Sequence, residues 1–148
     1  MIVRSLTLVM LLVCASAQSA ERDTAVIVNS GSTNRAGFRI AIDRAGTAEF
    51  TPTPRRRPGP PHPEPAAPAK MTIPRELADR LYADLKSATP LASLPAPHCM
   101  KSVSFGSRLN IEFNGEQSPD LSCPDNGYSP LSNLIRDCNE ILALFQNK

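Results

Sequence analysis

Between residues 52 and 68 the chain carries eight of its fifteen prolines, and no other feature limits its folding so sharply. Each proline holds φ at about −65° and lacks a backbone N–H, so the stretch reads as polyproline II outside any helix or sheet. A core must therefore be assembled from the chain on either side, with residues 52–70 entering as a flexible, Pro/Arg-rich insertion. Arg55, Arg56, Arg57 and Lys70, opposed only by Glu64, also concentrate the basic charge there. Such a segment would suit a proline-recognition groove or an anionic envelope polymer. A solvated insertion is the simpler reading, since composition alone carries little specificity.

At the N-terminus, Arg4 precedes an uncharged apolar run over residues 6–15, followed by the small residues Ala15-Ser16-Ala17-Gln18-Ser19-Ala20. A charged start, an apolar middle and a small-residue cleavage site define a secretory signal peptide, assigned to residues 1–20 with cleavage before Gln18 or before Glu21. A membrane span would need about 20 consecutive apolar residues, roughly twice this run. Lipidation at Cys14 is disfavoured because Val13 precedes it where a small residue is usual. The chain of 148 residues, less its leader, is enough for one domain, residues 21–148, and too little for two.

The leader contains one of the 16 basic side chains and none of the 14 acidic ones, so the mature chain is nearly neutral. Outside residues 52–70 the balance is slightly acidic, and aromatic residues are only 5% of the chain. That excludes a nucleic-acid surface resting on phosphate neutralisation and base stacking.

Residues 24–28 read as a strand, residues 38–43 alternate apolar with polar or small residues, and Arg44-Ala45-Gly46 supplies a turn before residues 47–51. Together they predict a β-meander. Its first loop, residues 29–34, is dense in hydroxyl and amide groups that satisfy their own backbone in turns. Ser30, Ser32, Thr33 and Asn34 are also candidates for lining a polar site.

Beyond the insertion, Thr72 or Ile73 caps a helix over residues 74–88, with Pro74 in the first turn and Glu76 at the positive end of the dipole. Leu77, Leu81 and Leu85, beside Ala78 and Ala88, form its apolar face. Pro90, Pro95 and Pro97 then carry an irregular link.

A second hairpin is expected from residues 101–105 and 109–113, with Val103, Phe105, Leu109, Ile111 and Phe113 inward, and residues 115–120 and 124–127 as loop. The final helix opens at Ser129-Pro130 and bears the stripe Leu131, Leu134, Ile135, Cys138, Leu142 and Phe145. The fold class expected is α+β: a small antiparallel sheet of meander plus hairpin, with two helices packed on one face.

Three cysteines follow the leader, Cys99, Cys123 and Cys138. In an exported chain an odd set implies one bridge and one remaining thiol. Cys99 lies just before the second hairpin and Cys123 just after it, so a Cys99–Cys123 bridge would clamp its ends, a closure worth roughly 3–4 kcal/mol. Cys138, inside an apolar stripe, reads as a buried, inert thiol.

No zinc-protease, nucleophile-elbow, phosphate-loop or calcium-loop signature is present. Only His62 and His98 are available as imidazole ligands, and His62 belongs to the insertion, so no metal or other cofactor is expected. One catalytic constellation can be written: His98 as base, Asp120 as its orienter, and Ser104, Ser107 or Ser118 as nucleophile. Any small domain holds such residues, and Ser118-Pro119-Asp120 is equally a turn sequence.

The strings Val28-Asn29-Ser30-Gly31-Ser32-Thr33-Asn34 with Gly37-Phe38, Cys99-Met100-Lys101-Ser102-Val103-Ser104-Phe105-Gly106, and Ser118-Pro119-Asp120-Leu121-Ser122-Cys123 resemble those of a family of small exported bacterial proteins of unknown function. The likeness spans most of the mature chain outside the insertion. It implies a periplasmic or secreted location and brings no activity, cofactor or catalytic residue. The functional expectation is a non-catalytic binding or interaction domain with an envelope or extracellular partner, with neither nucleic acid nor a membrane span after cleavage. The alternative is a small envelope hydrolase using a Ser/His98/Asp120 arrangement.

Overall fold

Alternation of side chains along the N-terminal strands settles which face of the sheet is buried. In the computed structural model, which describes residues 23–53, 67–102, 104, 106–124 and 127–146, β1 (Ala25–Asn29), β2 (Gly37–Ile42) and β3 (Thr47–Thr53) form the expected meander. Residues 1–22, which include the expected signal peptide, and residues 54–66 of the insertion lie outside the described residues. Ile27 stands opposite Ile40 on one side and Ile111 on the other, and Ala25 opposite Ile42, so one face is uniformly apolar. The β2–β3 turn closes through Gly46 N–H to the Asp43 carbonyl at 3.0 Å, and the Asp43 carboxylate accepts the Thr47 N–H at 2.8 Å. Gly46 has φ +87°, a conformation that favours glycine at a hairpin bulge.

The sheet has six strands in the order β4-β3-β2-β1-β5-β6, with every neighbouring pair antiparallel. The two helices, α1 (Arg75–Ala88) and α2 (Ser129–Gln146), pack on the apolar face and complete an α+β fold. Leu81 and Leu85 of α1 and Leu131, Leu134 and Ile141 of α2 are fully buried with the central isoleucines. Phe38, Phe50 and Phe145 extend the core in a row, with successive centroids 5.4 and 5.7 Å apart. The opposite face carries polar pairs, Arg39 with Glu112 at 2.9 Å and Lys70 with Glu49.

Three departures from the expected layout matter. First, the proline-rich stretch is shorter at both ends than its composition implies. Pro52 and Thr53 continue β3, while Ala69 and Lys70 belong to β4 (Ala69–Thr72). β4 pairs with β3 only from Thr47 to Phe50, so among the described residues no strand lies outside Pro52, an edge setting in which the missing N–H forfeits no ladder bond.

Second, the hairpin of residues 101–105 with 109–113 does not form. Lys101, Ser102 and Ser104 are not in a strand, and Val103 and Phe105 lie outside the described residues. β5 (Leu109–Phe113) pairs instead with β1 and with β6 (Glu116–Gln117). The turn is Asn114-Gly115, both at positive φ (53° and 79°), which is the strongest short-range hairpin signal in the sequence. Third, Pro74 is itself the N-cap of α1, one residue later than expected, with φ −52°.

A single phenol organises one end of the sheet. The Tyr82 hydroxyl lies 2.8 Å from the Asp23 carbonyl and 2.7 Å from the Ile42 carbonyl, and accepts the Ala25 N–H at 3.3 Å. Those are strand-end groups that would otherwise be buried without partners. The Tyr82 ring meets Phe113 edge-on at 5.7 Å, with the Arg44 guanidinium 4.6 Å above it.

Candidate functional site

At the other end of β1 and β5 the polar strings of the sequence converge. Cys99 and Cys123 are bridged, with S–S 2.07 Å and Cα–Cα 5.6 Å. The bridge forms as expected, but the hairpin it encloses is β5–β6: it ties the segment before β5 to the turn after β6. Residues beside the two sulfurs are thereby brought together. Lys101 Nζ donates to the Ser107 carbonyl at 2.7 Å, to Asp120 Oδ2 at 2.6 Å and to Ser122 Oγ.

Asp120 Oδ1 accepts the Leu109 N–H at 3.1 Å, the Ser122 N–H at 3.0 Å and the Ser122 hydroxyl at 2.6 Å. Burial by itself would lift the Asp120 carboxyl. The bonds from Lys101, Ser122 and Leu109 outweigh it and hold the group below the usual carboxylate range. The aspartate side chain here stands in for a strand: it receives the Leu109 N–H while Leu121 N–H returns to the Leu109 carbonyl at 2.6 Å.

The loop after β1 joins the same end. Asn29 Oδ1 accepts the Gly31 N–H at 2.9 Å, and Asn29 Nδ2 reaches Ser107 Oγ at 3.4 Å. Ser30 N–H donates to the Arg108 carbonyl and Ser30 Oγ accepts the Arg108 N–H, both at 2.9 Å. Ser32 is buried and its Oγ accepts the N–H groups of Asn34 and Arg35. Thr33 and Asn34 are half-buried at the tip. These side chains shape the turn, which is the simpler of their two readings.

A cleft of about 560 Å³ opens beside the bridge, lined among others by His98, Lys101, Arg108, Asn110, Gln117 and Asp120. Lys101 has all three N–H groups engaged, so it offers no lone pair to a serine and no spare donor to a ligand. Asp120 is likewise saturated. Among the described residues no hydrogen bond or ion pair engages the His98 ring, the Arg108 guanidinium or the Gln117 amide. Asn110 donates to the Ser118 carbonyl at 2.9 Å. The groups available to a ligand are therefore mostly donors, and the cationic side chains outnumber the single, neutralised carboxylate.

His98 and Asp120 share this cleft, but among the described residues no hydrogen bond joins His98 to Asp120 or to any serine. Ser118 is buried: its Oγ accepts the Ile111 N–H at 3.0 Å and donates to the Pro119 carbonyl at 2.8 Å, prolonging the β5–β6 ladder. Ser104 is exposed, its N–H on Ser102 Oγ at 3.3 Å. Ser107 contributes its carbonyl to the lysine and its hydroxyl to Asn29. Lys101, Arg108, Gln117 and Ser122 were not singled out from sequence. The available signal was positional, since Lys101 follows Cys99 by two residues and Ser122 immediately precedes Cys123.

Cys138 is buried and unbridged, and burial first, then the neighbouring Asp137, pushes its thiol far above the ordinary range. Among the described residues no group of acidic, histidine or cysteine side chains is arranged to hold a metal ion, and no helix is long and apolar enough to cross a membrane. No protein-family model, curated protein or solved structure matches the chain.

Proposed function

We propose that this is an exported, non-catalytic binding protein, periplasmic or secreted, whose ligand presents a carboxylate or similar small anion to the cleft beside the Cys99–Cys123 bridge. The observation carrying this reading is the arrangement of donors around that cleft. Arg108, His98 and Gln117 have no intramolecular partner among the described residues, while Lys101 and Asp120 neutralise each other and hold the wall in place. A guanidinium with a fixed fork of donors matches a carboxylate in two-point contact.

Export is supported by the leader-like pattern of residues 1–20 and by a disulfide of the kind that persists in oxidising compartments. Among the described residues no hydrogen bond joins His98 to a serine, which favours binding over hydrolysis.

The test is an NMR titration of the oxidised protein, lacking residues 1–20, with acetate, glutamate, citrate and inorganic phosphate. Amide shifts confined to residues 96–101, 108–110 and 117–120, and abolished by Arg108→Ala, are expected. Shifts elsewhere, or shifts that survive Arg108→Ala, would remove the cleft from the account. Mass spectrometry of the protein recovered from a secreting host tests the leader, the expected N-terminus being Gln18 or Glu21.

A further inference from the structure

Away from the cleft, the seam between α1 and α2 holds three carboxyl groups against two guanidinium groups. Asp137 is fully buried within it. Its Oδ1 accepts Arg80 Nε at 2.8 Å and Arg136 Nε at 3.1 Å. Asp84 accepts Asn133 Nδ2 at 3.1 Å and Arg136 Nη2 at 2.9 Å. Glu140 takes the remaining arm of Arg80. The other oxygen of Asp137, Oδ2, is buried with no hydrogen-bond partner, the one such side-chain atom among the described residues.

An orphaned carboxylate oxygen in a dry setting is an expensive arrangement. The neighbouring carboxyl offers the remedy. One nitrogen, Arg136 Nη2, lies 2.9 Å from Asp84 Oδ2 and 3.0 Å from Asp137 Oδ1, so the two acids crowd the same cation. Two carboxylates side by side repel, whereas a carboxylic acid and a carboxylate share a hydrogen bond. One bound proton would give Oδ2 a partner and bring the seam's formal charge from −1 to 0.

We propose that the α1–α2 seam is a proton-binding site: Asp137 Oδ2 carries a proton donated to Asp84, making a latch between the helices that closes as the surroundings acidify. Direction agrees with geometry, because burial first, then the neighbouring Asp84 carboxyl, raises the Asp137 carboxyl above the ordinary aspartate value while Arg80 and Arg136 oppose the rise. The charged and titratable groups facing it are Arg80 and Asp84 from α1 and Arg136, Glu140 and the Cys138 thiol from its own helix. No sheet side chain among the described residues bonds to it.

The sign follows from linkage. A carboxyl raised in the folded state contributes stability that is full below the unfolded value, about 4, and lost as pH rises through the folded value. On the exported location proposed above, the protein meets such pH changes directly.

The experiment is a carbon-13 titration of aspartate carboxyl signals in the intact oxidised protein. Asp137 should titrate with its midpoint above that of a blocked aspartate peptide, and Asp84 and Asp137 should share two-step curves with common inflections, the signature of a coupled pair. Asp84→Asn replaces the proton acceptor by an amide that donates to Asp137, so the Asp137 midpoint should then fall toward the peptide reference. A midpoint at or below the reference in the unmutated protein overturns the proposal. So does a single-step curve for Asp137, or a raised midpoint unmoved by Asp84→Asn. The unmutated titration decides the matter even if the variant does not fold.

Discussion

Replacing Asp120 by asparagine preserves shape and tests whether the Lys101–Asp120 contact holds the cleft wall. In the folded protein Oδ2 receives Lys101 at 2.6 Å, and Oδ1 receives Leu109 N–H at 3.1 Å and Ser122 N–H at 3.0 Å. An asparagine must turn its amide nitrogen toward one of these two sides, and on either side a donor then faces a donor. Exposed ion pairs are worth about 0–1 kcal/mol and breaking a fully buried one costs about 3–5 kcal/mol. The side chains here are 23% and 17% exposed, so a loss of about 2 kcal/mol is expected, between the two limits.

Lys101→Met should restore roughly 1 kcal/mol of that loss in the double variant, because it removes the facing donor. The assay is urea unfolding of the oxidised protein, followed by far-ultraviolet circular dichroism near neutral pH and near pH 3. The depressed Asp120 carboxyl contributes stability that is full above about pH 4 and is lost as pH falls through its lower, folded value. The asparagine variant should therefore lose less on acidification than the parent. A coupling energy under about 0.5 kcal/mol, or an unchanged acid response, would refute the reasoning.

Four further outcomes are expected. Tyr82→Phe removes the hydroxyl shared by Asp23, Ile42 and Ala25 and should lower the unfolding free energy by about 1–3 kcal/mol, read from urea midpoints; no loss would mean water replaces it. Gly31→Ala places a Cβ 2.6 Å from the Gly37 nitrogen at a φ of +61° and should cost about 2 kcal/mol or more, with amide shifts confined to residues 29–37. Cys138 should resist thiol reagents until denaturant is added, whereas reducing the Cys99–Cys123 bridge should lower stability by roughly 3–4 kcal/mol; labelling of Cys138 in the native protein would contradict its burial.

Much of the framework was legible because it rests on local periodicity. The alternation in β1 to β3, the leucine spacing of α1 and the stripe of α2 each depend on near neighbours, and each reappears as a buried face. Legibility failed where two local signals competed. Alternation at residues 101–105 suggested a strand beside β5, but Asn114-Gly115 made a tighter closure on the other side. It failed again at Pro52, since proline is barred from a strand only where its N–H would be used. Asp137 escaped notice because a charged residue within an amphipathic helix reads as solvent-facing, and only the second helix, packed over it, makes it buried.

The sequence by itself determined the α+β class, the Cys99–Cys123 bridge and the buried Cys138 thiol, since each follows from residue type and short-range spacing. The tertiary structure alone decided that β1 lies at the centre of the sheet, between β2 and β5, and that the loop after β1 meets the segment beside Cys99. It also decided that Lys101, Asp120 and Ser122 form one knot and that Asp84 and Asp137, on different helices, share Arg136. Those contacts join residues far apart in the chain, so they are selected by the free energy of the whole packed core and by no local pattern.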